Sequence, residues 1–273
     1  MSVFEWISIA STLPVEGLEF YEDFLPNDKQ KLEQIREILQ KKKMKMPMLC
    51  CSPDFTDPDE EMRRFWVEQE KKWIDLTVFF GGKTCRILSG QKRPEVDKKQ
   101  GIDWVVQCIK TCLNYAEEKR VILAMENHYK DPYWKYPEFA QKLDVFLQII
   151  SQIQSKWFGV NYDPSNAILA GDDPIMVMNA VKDRIVSMHA SDRHLKSGSL
   201  EDLKQADGTL GYSPNLVHGV IGKGLNNYDA IFNILRSIRF DGWISIEDGM
   251  NGVDELRESA DFLNNKIRQY FKQ

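Results

Sequence analysis

Glu126, Asp163, His189 and Glu247 each lie at the C-terminal end of a short strand-like run, in VILAMENHY, FGVNYDPSN, IVSMHASD and WISIEDG. Three carboxylates and one imidazole form a donor set that suits Mn²⁺, Mg²⁺ or another mid-row divalent ion better than a thiolate-seeking metal. The intervals between them are 37, 26 and 58 residues, so no local turn can group them. Each interval fits one or two β-strand plus helix units. Parallel strands in such a (β/α) repeat bring their C-terminal ends to one mouth, where this architecture builds active sites. A single buried acid is ordinarily an ion pair or a helix cap, but four such groups at four strand ends point to one metal site.

The elements that must position these groups are visible as short apolar, β-branched runs alternating with longer amphipathic stretches, the pattern of parallel strands with helical crossovers. Seven strands are expected at 18–21, 46–52, 84–89, 120–127, 158–163, 185–191 and 243–247. Helices are expected at 28–43, 58–80, 98–119, 138–155, 174–181, 228–239 and 253–271. The opening run VFEWISIASTL reads either as a helix or as a strand. As a strand parallel to 18–21 it would leave about eight residues for a crossover that needs about a dozen, so 2–12 is taken as an eighth helix. Seven strands and eight helices make an eight-stranded barrel without its first strand, over one domain spanning 1–273. Three explanations stand side by side: Met1 is an internal or alternative start, the barrel is split at two exposed edges, or the N-terminal segment inserts irregularly into the gap.

With 273 residues and 42% hydrophobic content, the chain matches the roughly 250 residues of one such barrel. A net charge of −5 and a pI near 5.5 argue against a broad nucleic-acid or anionic-membrane footprint and for a small-molecule partner. Cys50, Cys51, Cys85, Cys108 and Cys112 form no CxxC pair and read as core or helix-face positions in a reducing cytoplasm. Neither a secretory leader nor a membrane-spanning run is expected.

At ENH, NYDPSN, HASDRH and IEDG the chain resembles the sugar phosphate isomerase/epimerase group of the xylose isomerase-like TIM barrels, over about Ser2 to the C-terminus. The resemblance implies an α/β, (β/α)₈ TIM barrel in which Glu126, Asp163, His189 and Glu247 hold one divalent ion. Mn²⁺ is the first expectation, with Mg²⁺, Co²⁺ and Zn²⁺ as alternatives. VEGLEFYE resembles the family's second strand, in keeping with an absent first one. An ion so held would leave positions for a ketose carbonyl and its neighbouring hydroxyl and would stabilise the developing enediolate. The resemblance also makes Glu126 and Glu247 the acid and base on opposite faces of a carbohydrate substrate.

Four further residues are candidates for substrate contact. His128 stands two places after Glu126 and so shares its face if the strand persists. Arg193 in SDRH could clamp a hydroxyl or carboxylate, or be tied up in a salt bridge. His218 opens HGVIGKG, where glycines could admit substrate and Lys223 could meet an anion, although a plain turn explains the run as well. Arg86 in TCRILSG could face the mouth or neutralise an acid within the barrel. Tyr129, Tyr133, Trp134 and Tyr136 could stack on a sugar face or plug the core.

Competing functions are an inosose-type dehydratase or lyase with the same metal site and a non-catalytic truncated barrel. Endonuclease IV chemistry is disfavoured, because it needs histidines on early strands and none precedes His128. No GxSxG elbow supports a serine hydrolase. An exposed barrel edge would also favour homo-oligomers.

Overall fold

The computed structural model describes residues 1–202, 215–247, 249 and 251–271. Helix α1 (Val3–Ala10) starts at a capping box in which Ser2 and Glu5 satisfy each other's backbone N–H groups. Then follow β1 (Phe20–Tyr21), α2 (Lys29–Lys42), β2 (Met48–Cys50), α3 (Glu60–Phe79), β3 (Thr84–Ile87) and α4 (Lys98–Lys119). The second half runs β4 (Ile122–Glu126), α5 (Leu143–Ile150), β5 (Phe158–Tyr162), α6 (Pro164–Leu169), α7 (Pro174–Val181), β6 (Ile185–Ala190), β7 (Arg193–Leu195) and β8 (Leu216–His218). It closes with α8 (Tyr228–Ser237), β9 (Trp243–Ile246) and α9 (Val253–Phe271). Asp28, Asp59, Asp97 and Asp173 cap α2, α3, α4 and α7 by accepting backbone N–H groups of the first turn.

Seven strands pair in the order β1-β2-β3-β4-β5-β6-β9, every pair parallel. These are the seven strands expected from sequence, curled into a partial barrel that, among the described residues, stays open between β1 and β9. All eight expected helices are present, with one marked change. The stretch 138–155 is helical only over Leu143–Ile150, because Glu138 turns inward and accepts hydrogen bonds from the backbone N–H and hydroxyl of Ser89. Two features were not anticipated. The hairpin β7–β8 pairs Arg193 with His218, and α6 is a short helix with Asp163 at its N-cap and Pro164 in its first turn.

The main core fills the space between the sheet's outer face and the helices. On α4, Ile102, Val105, Ile109, Cys112 and Ala116 recur at three- and four-residue spacing and are buried against outward strand residues such as Cys85 and Leu123. The lumen is different. Met48, Cys50 and Ala124 form a small apolar cluster inside, and towards the strand ends the inward positions become ionisable. Gly159 leaves room for Val186 where the β5–β6 register shifts. A Cβ at 159 would stand 2.4 Å from Val186 Cγ1.

The open side is a cleft of about 1480 Å³, walled by α1, α9 and the two edge strands. Trp6, Leu13, Ile244, Leu256 and Leu263 make its apolar lining, and at its inner end lie Arg86, His128, His189 and Glu247. Among the described residues, no helix is long and apolar enough to cross a membrane.

Gly159→Ala is expected to destabilise the chain by about 1–3 kcal/mol through overpacking. Chemical denaturation will check this, and adding Val186→Ala should recover most of the loss. An unchanged midpoint for Gly159→Ala alone would mean that Val186 moves aside freely.

Candidate active site

Parallel pairing brings the ends of β4, β5, β6 and β9 side by side. One ligand atom from each of Glu126, Asp163, His189 and Glu247 lies within 4.8 Å of all the others. Glu126, Asp163 and His189 are buried. The Glu247 side chain is 41% exposed, because β9 is an edge strand facing the cleft.

His189 is the hub. Its Nδ1 is 3.2 Å from Glu126 Oε1 and 3.1 Å from Glu247 Oε2. Its Nε2 faces the other way, 2.9 Å from Glu19 Oε2, with Cys50 Sγ at 3.9 Å. Glu19 also accepts a hydrogen bond from the Ser245 hydroxyl, so one carboxylate beside β1 reaches across the open side to β9. A carboxylate on the far nitrogen of an imidazole sets its tautomer and raises its basicity, the usual arrangement behind a metal-ligating histidine.

Arg86 points into the lumen and bridges its two neighbouring strands, donating from Nη1 to Glu126 Oε2 at 2.8 Å and from Nη2 to Ser52 Oγ at 3.2 Å. Ser52 in turn donates to Asp131 Oδ2 at 2.7 Å, which also accepts from the Tyr21 hydroxyl. Asp163 Oδ1 accepts from Asn166 N and Ser191 Oγ, each at 2.8 Å, and Asn127 clamps the Asp163 backbone on both sides. These bonds fix the carboxylates before any ligand arrives.

The electrostatics follow from crowding. Burial, then the Glu247 charge beside it, pushes the Asp163 carboxyl well above the usual carboxylate range. Burial works the same way on Glu126 and Glu247 and is the largest single effect, but the His189 charge, the hydrogen bond from His189 and the Arg86 charge together outweigh it and hold both below that range. Burial alone would lower His189, yet Glu247 and Glu126 raise it well above an ordinary imidazole. Carboxylates forced this close require a proton or a cation between them. The donor chemistry therefore fits a divalent ion.

The structure brings two of the four predicted substrate contacts to this place. Arg86 and His128 both line the cleft. His128 Nδ1 stands 3.8 Å from the buried Glu138 Oε2; burial lowers its pKa, but Glu138 and the Glu126 charge carry it above the ordinary value. Arg193 and His218 instead face each other on the hairpin, and neither lines the cleft. The glycine run after His218 is spoken for as well: Gly222 N and Gly224 N both donate to Asp192 Oδ2 at 2.9 Å, and Lys223 pairs with Glu258. Tyr133 stacks on Tyr21 at 6.3 Å and is exposed at the rim, whereas Tyr129 is buried in a small core cluster.

The profile of the xylose isomerase-like TIM barrel matches residues 7–266. The chain belongs to that family. Within its reach, the inosose dehydratase of Lacticaseibacillus casei is 28% identical over 86 residues, 32% of this chain and 28% of that protein. Among solved structures, the IOLI protein with a binding zinc atom superposes at a TM-score of 0.78 and 15% identity, covering 100% of this chain and 95% of that one. A D-tagatose 3-epimerase-like protein superposes at 0.73 and 17% identity, covering 94% and 90%. At such identities the superpositions establish the fold.

Sequence reading passed over Glu19, Cys50, Asn166 and Ser191. A signal for Glu19 existed: in LEFY, period-two alternation sends Leu18 and Phe20 to the core face and Glu19 and Tyr21 to the lumen. Nothing comparable marks Ser191 or Asn166, whose importance comes from folding onto Asp163.

Asp192, fully buried, also accepts from Arg193 N and Asn226 N. Asp192→Ala is expected to cost about 2–3 kcal/mol by stranding these donors. Urea denaturation measures it, and a loss under half that size would show that solvent replaces the carboxylate.

Proposed function

We propose that this chain is a divalent-metal-dependent isomerase or epimerase acting on a sugar, a sugar phosphate or a related polyhydroxy-ketone. The observation that carries this reading is the convergence of Glu126, Asp163, His189 and Glu247 within 4.8 Å at the strand ends. In this reading all four are ligands. The bound ion, Mn²⁺ by donor type and Zn²⁺ by analogy with the IOLI structure, supplies Lewis-acid polarisation of a carbonyl and its neighbouring hydroxyl.

The protein's own groups then divide the work. Glu247 is reached from the cleft and is only loosely enclosed, so it takes the proton α to the carbonyl. Glu126, held by Arg86 and by the Asn166 amide, returns a proton to the other face. The Arg86 guanidinium keeps Glu126 ionised between turnovers, and Glu19 holds the His189 ring in place. His128 projects into the cleft, where it donates to a substrate oxygen. The apolar cleft walls exclude water from the carbanionic centre.

A second reading, dehydration of an inosose-type cyclitol, has its own support. His128 is backed by the buried Glu138, which with the Glu126 charge raises its pKa above the ordinary value and suits it to hand a proton to a departing β-hydroxyl, and the inosose dehydratase match points the same way. Product analysis separates the two: an epimer or aldose–ketose pair conserves mass, whereas dehydration loses water.

Glu126→Gln and Glu247→Gln are each expected to lower turnover by at least about a hundredfold with the fold intact; wild-type-like turnover in either removes that carboxylate from the chemistry. His189→Ala should abolish stoichiometric metal in the mouth, as measured by inductively coupled plasma mass spectrometry. The pH dependence has a definite sign. In the free protein the pKa values of His189 and Asp163 are raised, which favours their protonated forms, so a metal competes with protons at both. Mn²⁺ affinity should rise with pH by up to about tenfold per unit for each proton released, and calorimetry that shows no proton release would contradict this ligand set.

A further inference from the structure

A second cluster of metal-ligating side chains lies on the opposite face of the sheet, away from the lumen. Glu70 sits in the apolar stripe of α3, in series with Val67, Ile74 and Thr77, all buried. It is 0% exposed, a costly place for a carboxyl group without partners. The groups it meets are thiols. Cys85 on β3 donates to Glu70 Oε1 across 3.2 Å. Cys51, directly after β2, places its Sγ 3.7 Å from Cys85 Sγ. The second carboxylate oxygen, Glu70 Oε2, is buried with no hydrogen-bond partner. One ligand atom from each of Cys51, Glu70 and Cys85 lies within 4.8 Å of the others, and all three residues are buried.

The spacing has a chemical meaning. Tetrahedral zinc with Zn–S of about 2.3 Å and Zn–O of about 2.0–2.2 Å requires S···S edges of about 3.8 Å and S···O edges of about 3.5 Å. The observed separations are 3.7 Å and 3.2 Å. A disulfide would need sulfurs about 2.05 Å apart. The unpartnered Oε2 offers a fourth donor if Glu70 binds through both oxygens. Two thiolates, one carboxylate and a divalent ion carry one net negative charge. The buried guanidinium of Arg86 stands on the lumen side, paired with Glu126, and acts on Cys85 and Glu70 only through the sheet.

We propose that Cys51, Glu70 and Cys85 form a second metal site, for a thiophilic divalent ion of the zinc type, that pins α3 to β2 and β3. The donor set differs in kind from the oxygen-rich mouth, so the two sites sort different ions. Loading displaces the two thiol protons and, where Glu70 is protonated, its proton as well: the ion enters as M²⁺ and up to three H⁺ leave. Burial pushes the Cys51 thiol and the Glu70 carboxyl well up, whereas at Cys85 burial is outweighed by the hydrogen bonds with Cys51 and Glu70, which lower it. The site does not depend on the proposed reaction. It staples the outer core beside the open part of the sheet, since β2 is the neighbour of edge strand β1.

The test is Cd²⁺ titration of the full chain, refolded with the ion because the site is closed to solvent, read by thiolate-to-metal charge-transfer absorption. Wild type should gain the band at one equivalent, together with a rise in Tm. His189→Ala and Cys50→Ser should keep it, which separates this site from the mouth, where oxygen and imidazole donors give no such band and Cys50 is the nearby thiol. Cys51→Ser/Cys85→Ser should lose both the band and the Tm rise, and Glu70→Gln should weaken binding by at least about tenfold. Should the double variant not fold, Cys85→Ala alone is read by the same two signals. No band in wild type, or a band that persists without Cys51 and Cys85, overturns the proposal and leaves two thiols in van der Waals contact beside a buried carboxylic acid.

Discussion

Like charge held at close range is the constraint around which this molecule is arranged. Glu19, Glu126 and Glu247 all approach His189 within about hydrogen-bond distance, and Asp163 completes the ring. Two carboxylates about 4 Å apart repel by roughly 4 kcal/mol at an effective dielectric of about 20. The folded chain tolerates this because Arg86 and His189, whose pKa its carboxylate neighbours raise, stand among them, and because burial beside Glu247 pushes the Asp163 carboxyl up towards its neutral form. Every neighbouring detail serves that compromise, from the Asn127 clamp on the Asp163 backbone to the Glu19 carboxylate behind the imidazole.

The open side of the sheet gives the four carboxylates unequal surroundings. Glu126 is buried on a central strand and held by ion pair and hydrogen bond, whereas Glu247 follows an edge strand and faces the cleft. The same residue type thereby takes a rigid setting at one strand end and an accessible one at another. Glu19 and Ser245 bridge the gap between β1 and β9 through side chains in place of a strand-to-strand ladder. The polar lumen and the apolar wall of the cleft meet at Arg86 and His128.

On the outer face the same alternation that sends Glu126 inward sends Leu123 and Met125 out, and on β2 it separates neighbouring cysteines. Cys50 looks into the lumen towards His189, while Cys51 looks out at Cys85 and Glu70. Adjacent thiols thus occupy two chemical environments on either side of one sheet. In the chain they read as interchangeable core residues.

Local pattern by itself determined the seven parallel strands, the helix from Val3, the gap in the strand count and the four strand-end residues, because strand period, helix caps and crossover length are properties of neighbouring residues. The group at the mouth was legible for the same reason, since a strand's last residue has a defined place in a (β/α) repeat. Tertiary structure alone decided the rest. It set Arg193 and His218 against each other on a hairpin and committed the glycine run to Asp192. It made Glu138 a buried acceptor in place of a helix start, and it brought Glu19 to His189 and Cys51 to Cys85. Each of these pairings joins residues at least 25 positions apart, Glu138 and Ser89 among them at 49. Such contacts depend on how the sheet curls and where its side chains meet, and no periodicity within either segment encodes that meeting.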